Sequence, residues 1–444
     1  MPAAPLPPGP KGQFLAGNLT DFRRERLGLF LRCARDYGDV VPLRLGLIRG
    51  VVLSHPDAIE TVLVTHSRNF TKHFALRRNR LVLGNGLLTS EGDFWLRQRR
   101  LAQPAFARSC LARYALDMTA AAQRLLTGWR DGDTRELHAE MARLTLTIAA
   151  KTLFGAEVGD EVADVRQAME AALAAFDARL GTGYLVPHWV PTAANRRLHR
   201  AVRRLDEIIY GFIERRRRSG DEGGDLLSIL LDARDGDGSR MTDRQLRDEA
   251  MTLFLAGHET TALVLAWASY LLAQHPEAAE RLHAELRSIL GDRPPGAADL
   301  PRLPYTEQVV LESMRLYPPA YVIGREAVAD CEVHGYRIPA GTTLFMSQWV
   351  VHRDPRWFDE PEKFLPERWA GGLAQRLPKF AYFPFGGGPR LCIGNTFAMT
   401  EAVLVLATLA RRFRFTLVPD HPVVPWPSMT LRPKHGIRVV LHRV

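Results

Sequence analysis

Phe385-Gly386-Gly387-Gly388-Pro389-Arg390-Leu391-Cys392-Ile393-Gly394 makes little sense as ordinary packing. Consecutive glycines weaken a helix and a strand alike, and serve where backbone must turn sharply or lie flat against a large rigid ligand. Pro389 fixes a bend and removes a donor. Behind Cys392, the residues Ala398, Val403, Leu406, Leu409 and Ala410 recur at helical spacing, so the cysteine falls near a helix N-terminus. Free N–H groups and the positive end of the dipole there favour a thiolate. A thiolate at the base of a glycine-rich loop, with a cation two residues before it, suits axial ligation of haem iron, with Arg390 facing a propionate. A lone cysteine would more simply be buried and inert. The complete string Phe-x-x-Gly-x-Arg-x-Cys-x-Gly argues for a ligand.

Working outward, Thr242-Asp243-Arg244-Gln245 reads as a capping box. It predicts a helix running to Gln274 ahead of Pro276, about 50 Å long, enough to cross the middle of a domain. At its centre lie Ala256, Gly257, His258, Glu259, Thr260 and Thr261. Gly257 costs about 1 kcal/mol relative to alanine in a helix interior, and small residues there let a flat cofactor approach. Thr260 stands four residues after Ala256, so its hydroxyl competes for that carbonyl and opens the helix locally. Glu259 and Thr260 supply an acid and an alcohol, the parts of a proton relay. Trp95 and Arg99 share a face of a helix starting near Glu91 and form an anionic clamp. Glu312 and Arg315 can pair on a helix ending before Pro318, and Arg368, beside Trp369, can close a buried Glu–Arg–Arg network.

These four motifs, in this order over residues 95 to 394, resemble the cytochrome P450 family of haem-thiolate monooxygenases. The resemblance implies a mainly α fold with small β-sheets, triangular in outline, with haem b between the long central helix and the helix after the cysteine loop. It implies one haem-thiolate domain over residues 1–444, led by a proline-rich segment over 1–20. By the same resemblance Cys392 is the iron ligand, and Arg390, Arg99, Trp95 and Arg325 hold the propionates. Gly257 and Phe385 border the cofactor, Thr260 is the relay hydroxyl with Glu259 its acidic neighbour, and Glu312, Arg315 and Arg368 brace the loop as structure. His352 is expected to be structural. The implied reaction puts one atom of O2 into an apolar substrate and releases the other as water. The implied pocket includes Phe74, Leu87, Phe176, Phe254, Ala256, Val322 and Met429. Lys72, His73, Arg77, Arg78 and Arg80 would suit a fatty-acid carboxylate, while the apolar lining suits a terpenoid or macrolide equally. A peroxygenase using hydrogen peroxide, and a haem-thiolate sensor or carrier without turnover, stand as the alternative readings.

Composition narrows the partners. With 46% hydrophobic and 24% charged residues the chain is an ordinary folded protein. Its net charge of +10 is spread along the chain, and the run Arg215 to Arg218 falls at a helix C-terminus, where it complements the dipole and faces solvent. This argues against nucleic acid and for an acidic protein partner. No flavin or iron–sulfur segment is present, so electrons are expected from a ferredoxin or flavodoxin with its NAD(P)H reductase. Arg100, Arg376, Lys379 and Arg412 are candidate docking contacts. Four separated cysteines, no signal pattern and no membrane anchor before the proline-rich lead point to the cytoplasm.

Overall fold

The computed structural model describes residues 7–77, 79–156, 161–181, 187–219, 224–234 and 238–444. The chain opens with two helices, α1 (Leu19–Arg24) and α2 (Arg26–Tyr37), parted where Glu25 leaves helical geometry at φ −153°. The break turns Arg26 inward, where its Nη1 donates to the Tyr321 hydroxyl and the Pro427 carbonyl, both at 2.6 Å. A hairpin follows, β1 (Val40–Leu45) and β2 (Ile48–Leu53).

The long, mostly helical region that follows carries two short strands, β3 (Phe70–Lys72) and β4 (Thr134–Glu136). Its principal helices are α3 (Gly92–Ala102), α4 (Arg108–Thr127), α5 (Leu137–Phe154), α6 (Glu161–Gly181), α7 (Ala193–Ser219), α8 (Asp243–Gln274) and α9 (Pro304–Leu316). The basic run ends α7 as its sequence suggests, but Arg216 is not solvated. It is buried, pairs with Asp225 and donates to the Phe154 carbonyl at the end of α5.

The capping box of α8 forms in both directions: Gln245 N–H donates to Thr242 Oγ1 at 3.3 Å, and Thr242 N–H to Gln245 Oε1 at 2.8 Å. At the other end His275 closes the helix ahead of Pro276. A helix apolar on nearly every face must be buried on nearly every face. From Leu246 to Ser269 every residue of α8 is buried except Ala256, Gly257 and Thr260. α5 packs along it, and α7 and α9 flank it.

Beyond α9 come β5 (Ile323–Ala327), β6 (Cys331–Val333), β7 (Tyr336–Ile338) and β8 (Thr343–Met346). β6 and β7 form a hairpin, turned by His334 and Gly335 at positive φ. After the cysteine loop, α10 (Asn395–Ala410) packs against α4, α8 and α9. The chain ends in β9 (Phe413–Leu417), β10 (Pro425–Pro427), β11 (Leu431–Pro433) and β12 (Arg438–Arg443).

The largest sheet has the order β1-β2-β8-β5-β3, with β2 parallel to β8 and the other pairs antiparallel. The remaining strands form a β4-β12-β9 sheet and the β10–β11 and β6–β7 hairpins. The main apolar core is helical, a second cluster joins the large sheet to Phe380 and Phe383, and a third packs α2 on that sheet. Among the described residues no helix is long and apolar enough to cross a membrane.

Candidate haem and oxygen-activation site

The cysteine loop is folded by its own backbone. Gly386 N–H donates to Phe383 O, Leu391 N–H to Gly388 O and Cys392 N–H to Phe385 O, each at 3.0 Å. Gly386 and Gly388 sit at φ +72° and +66°, a conformation side chains resist. A Cβ at Gly388 would come within 1.9 Å of the Leu63 carbonyl oxygen, and one at Gly387 within 2.2 Å of the Phe380 ring. Protein neighbours therefore account for these glycines without appeal to a ligand. Gly394 caps α10, leaving Cys392 just outside the helix N-terminus. The Cys392 side chain is exposed by area although protein surrounds it, as expected of a group facing an interior space. Burial pushes its thiol pKa up, against smaller opposing effects of the Gly394 N–H and Arg99. The helix terminus alone does not ionise this sulfur, whereas metal coordination would.

Beside the loop stands a cluster of cations. Arg390, Arg99 and Lys72 lie 5.6, 6.0 and 5.7 Å from the Trp95 ring centroid. Arg325 is buried and donates to the Gly324 carbonyl at 3.0 Å, and burial lowers its pKa to about 10. Lys72 Nζ donates to Leu87 O at 2.7 Å and Ser90 O at 2.6 Å, and burial lowers its pKa to about 7. Glu91 pairs with Arg390 and accepts from the Lys72 backbone N–H. Among the described residues Glu91 is the one carboxylate ion-paired to this cluster, and Arg390 Nη1 is buried without a partner. A thiol donor facing an interior space, next to cations in excess of carboxylates, fits a dianionic metal porphyrin.

Lys72 is, by sequence, a candidate receptor for a substrate carboxylate. The structure instead pairs it in register with Arg325 across β3 and β5. Like charges in register are unfavourable unless an anion lies between or beside them. That long-range register left no mark in the local sequence.

On α8, Ala256, Gly257 and Thr260 retain access within an otherwise buried stretch. Thr260 Oγ1 donates to Ala256 O at 2.9 Å, and Thr261 Oγ1 to Gly257 O at 3.3 Å. A Cβ at Gly257 would meet only Leu153, at an ordinary 3.7 Å, so no protein neighbour enforces this glycine. Glu259 does not stand free beside Thr260. Its Oε1 accepts from Arg432 Nε on β11 at 2.6 Å and lies 3.8 Å from His138 Nε2 on α5. Burial favours the neutral acid, but the His138 and Arg432 contacts outweigh it and hold Glu259 well below the usual carboxylate range. Arg432 and His138 are remote in sequence and escaped the local reading. So did Glu249, which fastens the loop before α3 to α8: it accepts from Leu87 N–H at 3.0 Å and Gln98 Nε2 at 3.1 Å, and burial raises its pKa to about 7.

The expected brace assembles as a buried hub. Glu312 accepts from Arg315 Nε and Nη2 at 2.9 and 2.8 Å, from Arg368 Nε at 3.0 Å and from Trp369 Nε1 at 2.8 Å. Arg315 Nη1 also donates to the His352 carbonyl at 2.8 Å, and His352 Nε2 accepts from Phe383 N–H at 3.0 Å. The hub thus reaches the start of the cysteine loop, and His352 is a structural acceptor.

The expected pocket residues divide. Ala256 and Phe74 are partly accessible, Met429 sits at the β10–β11 turn, and Leu87 is nearly buried in the loop that Glu249 holds. Phe254 is a correction: it is fully buried between Phe154 and Phe212, centroids 5.5 and 5.9 Å away, because its side of α8 packs on α5 and α7. Val322 packs against the cluster around α2. The side chain of Phe176, on α6, lies outside the described residues. Of the proposed carboxylate receptors, Arg77 is paired with Glu326 at 2.6 Å and Lys72 is engaged as above. Burial lowers the His73 pKa to about 4, Arg80 is exposed, and Arg78 lies outside the described residues. Of the candidate docking contacts, Arg100, Arg376 and Arg412 are exposed, and Lys379 pairs with Glu60 at 2.7 Å.

Comparison with known proteins agrees with this geometry. The family description Cytochrome P450 matches residues 7–440. Cyclooctatin synthase of Streptomyces melanosporofaciens is 39% identical over 427 residues, covering 95% of this chain and 92% of that protein. Cyclooctat-9-en-7-ol 5-monooxygenase of the same organism is 38% identical, covering 88% and 85%. The solved structure of cyanobacterial CYP120A1 with retinoic acid bound superposes with a TM-score of 0.89 at 28% identity, covering all of both chains.

Proposed function

The chain belongs to the cytochrome P450 family and is a haem-dependent monooxygenase, and from that premise we propose that its substrate is a terpenoid hydrocarbon or alcohol. The observation that carries this is that, among the described residues, three of the candidate carboxylate receptors are engaged elsewhere or neutral. Arg77 is consumed by Glu326, Lys72 belongs to the cation cluster beside Trp95, and His73 is buried toward its neutral form. The two curated relatives described above, one of them named for a cyclooctatenol, agree with a substrate carrying few polar groups.

Haem, when bound, activates O2 for insertion of one oxygen atom into the substrate, the other leaving as water. In our reading Cys392 supplies the thiolate ligand, and Arg99, Arg325, Arg390 and Lys72 neutralise the propionates, with Trp95 behind them. Thr260 Oγ1 holds its proton on the Ala256 carbonyl, and releasing that bond frees the hydroxyl to donate toward the accessible side of α8. Glu259, ionised while it accepts from Arg432, would resupply that proton only after Arg432 gives up Oε1 and the carboxylate takes a proton from water. Ala256 and Met429 orient the substrate by packing, and Gly257 and Phe385 border the ring. The whole chain acts as one catalytic domain in the cytoplasm. Electrons come from an acidic ferredoxin or flavodoxin with its reductase, docking near Arg100, Arg376 and Arg412. The test is a spin-state titration with cyclic terpenes and terpene alcohols beside long-chain fatty acids, followed by product analysis with surrogate redox partners. Terpenoids should shift the spectrum and gain one oxygen atom. A fatty acid that alone binds and is hydroxylated would overturn the assignment.

A further inference from the structure

Away from the haem site, the N-terminal edge of the large sheet carries bare apolar side chains. Phe14, Leu15 and Leu47 are 94%, 81% and 97% exposed. They sit on two turns built against each other. The turn over residues 13–17 is closed by reciprocal Gln13–Gly17 backbone bonds at 2.9 Å, and Gly46 N–H donates to Ala16 O at 3.0 Å. Gly17 takes φ +60°, and a Cβ there would come within 2.1 Å of the Arg44 carbonyl oxygen, so the close approach of the turns requires glycine.

Arg44 finishes the joint. Its guanidinium donates to the carbonyls of Gln13 at 2.5 Å, Phe14 at 2.6 Å, Leu15 at 3.0 Å and Gly46 at 3.5 Å. Bare apolar side chains on a loop usually cannot enter a non-aqueous medium, because the loop's carbonyls would lose their water. Here the carbonyls beneath them are already satisfied by the protein.

Charge selects the medium. Residues 9–20 and 42–50 contain Lys11, Arg44 and Arg49 and no acidic residue. Arg44 and Arg49 face each other in register across β1 and β2, a like-charge pair that an anion would relieve, and Arg49 Nη2 donates to the Ala340 carbonyl at 3.3 Å. Asp330, which feels the Arg49 charge, is itself held by Arg337 at 2.7 Å. We infer that this apolar tip with its basic collar is a docking surface for an anionic lipid bilayer, into whose headgroup region Phe14, Leu15 and Leu47 insert. This is peripheral attachment without a spanning segment. It goes beyond the proposed reaction and does not depend on it.

The experiment is co-sedimentation of the haem-loaded protein with vesicles of phosphatidylcholine alone and of phosphatidylcholine mixed with phosphatidylglycerol. Wild type is compared with F14S/L15S/L47S and with K11Q/R49Q, folding being checked by circular dichroism. Wild type should bind the anionic vesicles, more weakly as salt rises. The apolar triple variant should lose about tenfold or more in partitioning, and the double variant should lose the preference for anionic over neutral vesicles. Equal binding of the triple variant, or no binding by wild type, overturns the proposal. So does self-association by light scattering that the triple variant abolishes while vesicles bind neither protein, which would give the tip to a second copy of the chain.

Discussion

Burial lowers the Lys72 pKa from 10.5 to about 7, and this shift carries a testable sign. Between those two values the unfolded chain binds a proton that the folded, haem-free protein does not. Folding stability from this residue therefore rises with pH across that window, and the full cost of burying the ammonium is felt below about 7. A propionate beside Nζ favours the charged form and cancels the shift. Reconstitution of the apoprotein with haem at about pH 8.5 should accordingly take up close to one proton at Lys72, while ligation of Cys392 releases its thiol proton. Calorimetry in two buffers of different protonation enthalpy measures the net count, and Lys72→Met should shift it by close to one proton toward release. Identical proton counts for wild type and Lys72→Met would remove Lys72 from the cofactor site. At this scale the sequence was legible where a role is local. Thr260 bonds the carbonyl four residues back as its spacing implied. It was illegible where a role depends on a distant partner: nothing near Glu259 announces Arg432, and nothing near Lys72 announces Arg325.

Elements were legible where their ends carry their own chemistry. The capping box and Pro276 delimit α8, and the periodic run behind Cys392 delimits α10. The break at Glu25 was not legible, because its consequence is a contact from Arg26 to Tyr321 and Pro427 far along the chain. The link between α9 and the cysteine loop belongs to this scale and passes through one carboxylate. Glu312 and Arg315 are fully buried, so removing Glu312 strands a guanidinium and leaves Trp369 Nε1 without its acceptor. Glu312→Ala should destabilise the protein by about 3–5 kcal/mol and lower its haem content, since the hub is tied through His352 to Phe383. Glu312→Gln, which keeps an acceptor, should cost less. Thermal unfolding and the haem-to-protein absorbance ratio check both variants. A Glu312→Ala protein with wild-type melting and full haem would show that the hub does not support the loop.

For the whole molecule, the order of four short motifs was enough to indicate a mainly α chain with its cofactor between α8 and α10. The mixed β1-β2-β8-β5-β3 sheet, with its one parallel pair, was out of reach, because strands of a few residues find partners by packing rather than by local pattern. The central claim, that the molecule is built around a cysteine-ligated haem, rests on the geometry joining these scales. The measurement that tests it most directly is the absorption spectrum of the dithionite-reduced protein under carbon monoxide, for wild type and Cys392→Ala. A Soret band strongly red-shifted from that of histidine-ligated haem, present in wild type and lost in the variant, is the predicted result. A colourless wild-type protein, or an unshifted band in both, would contradict it.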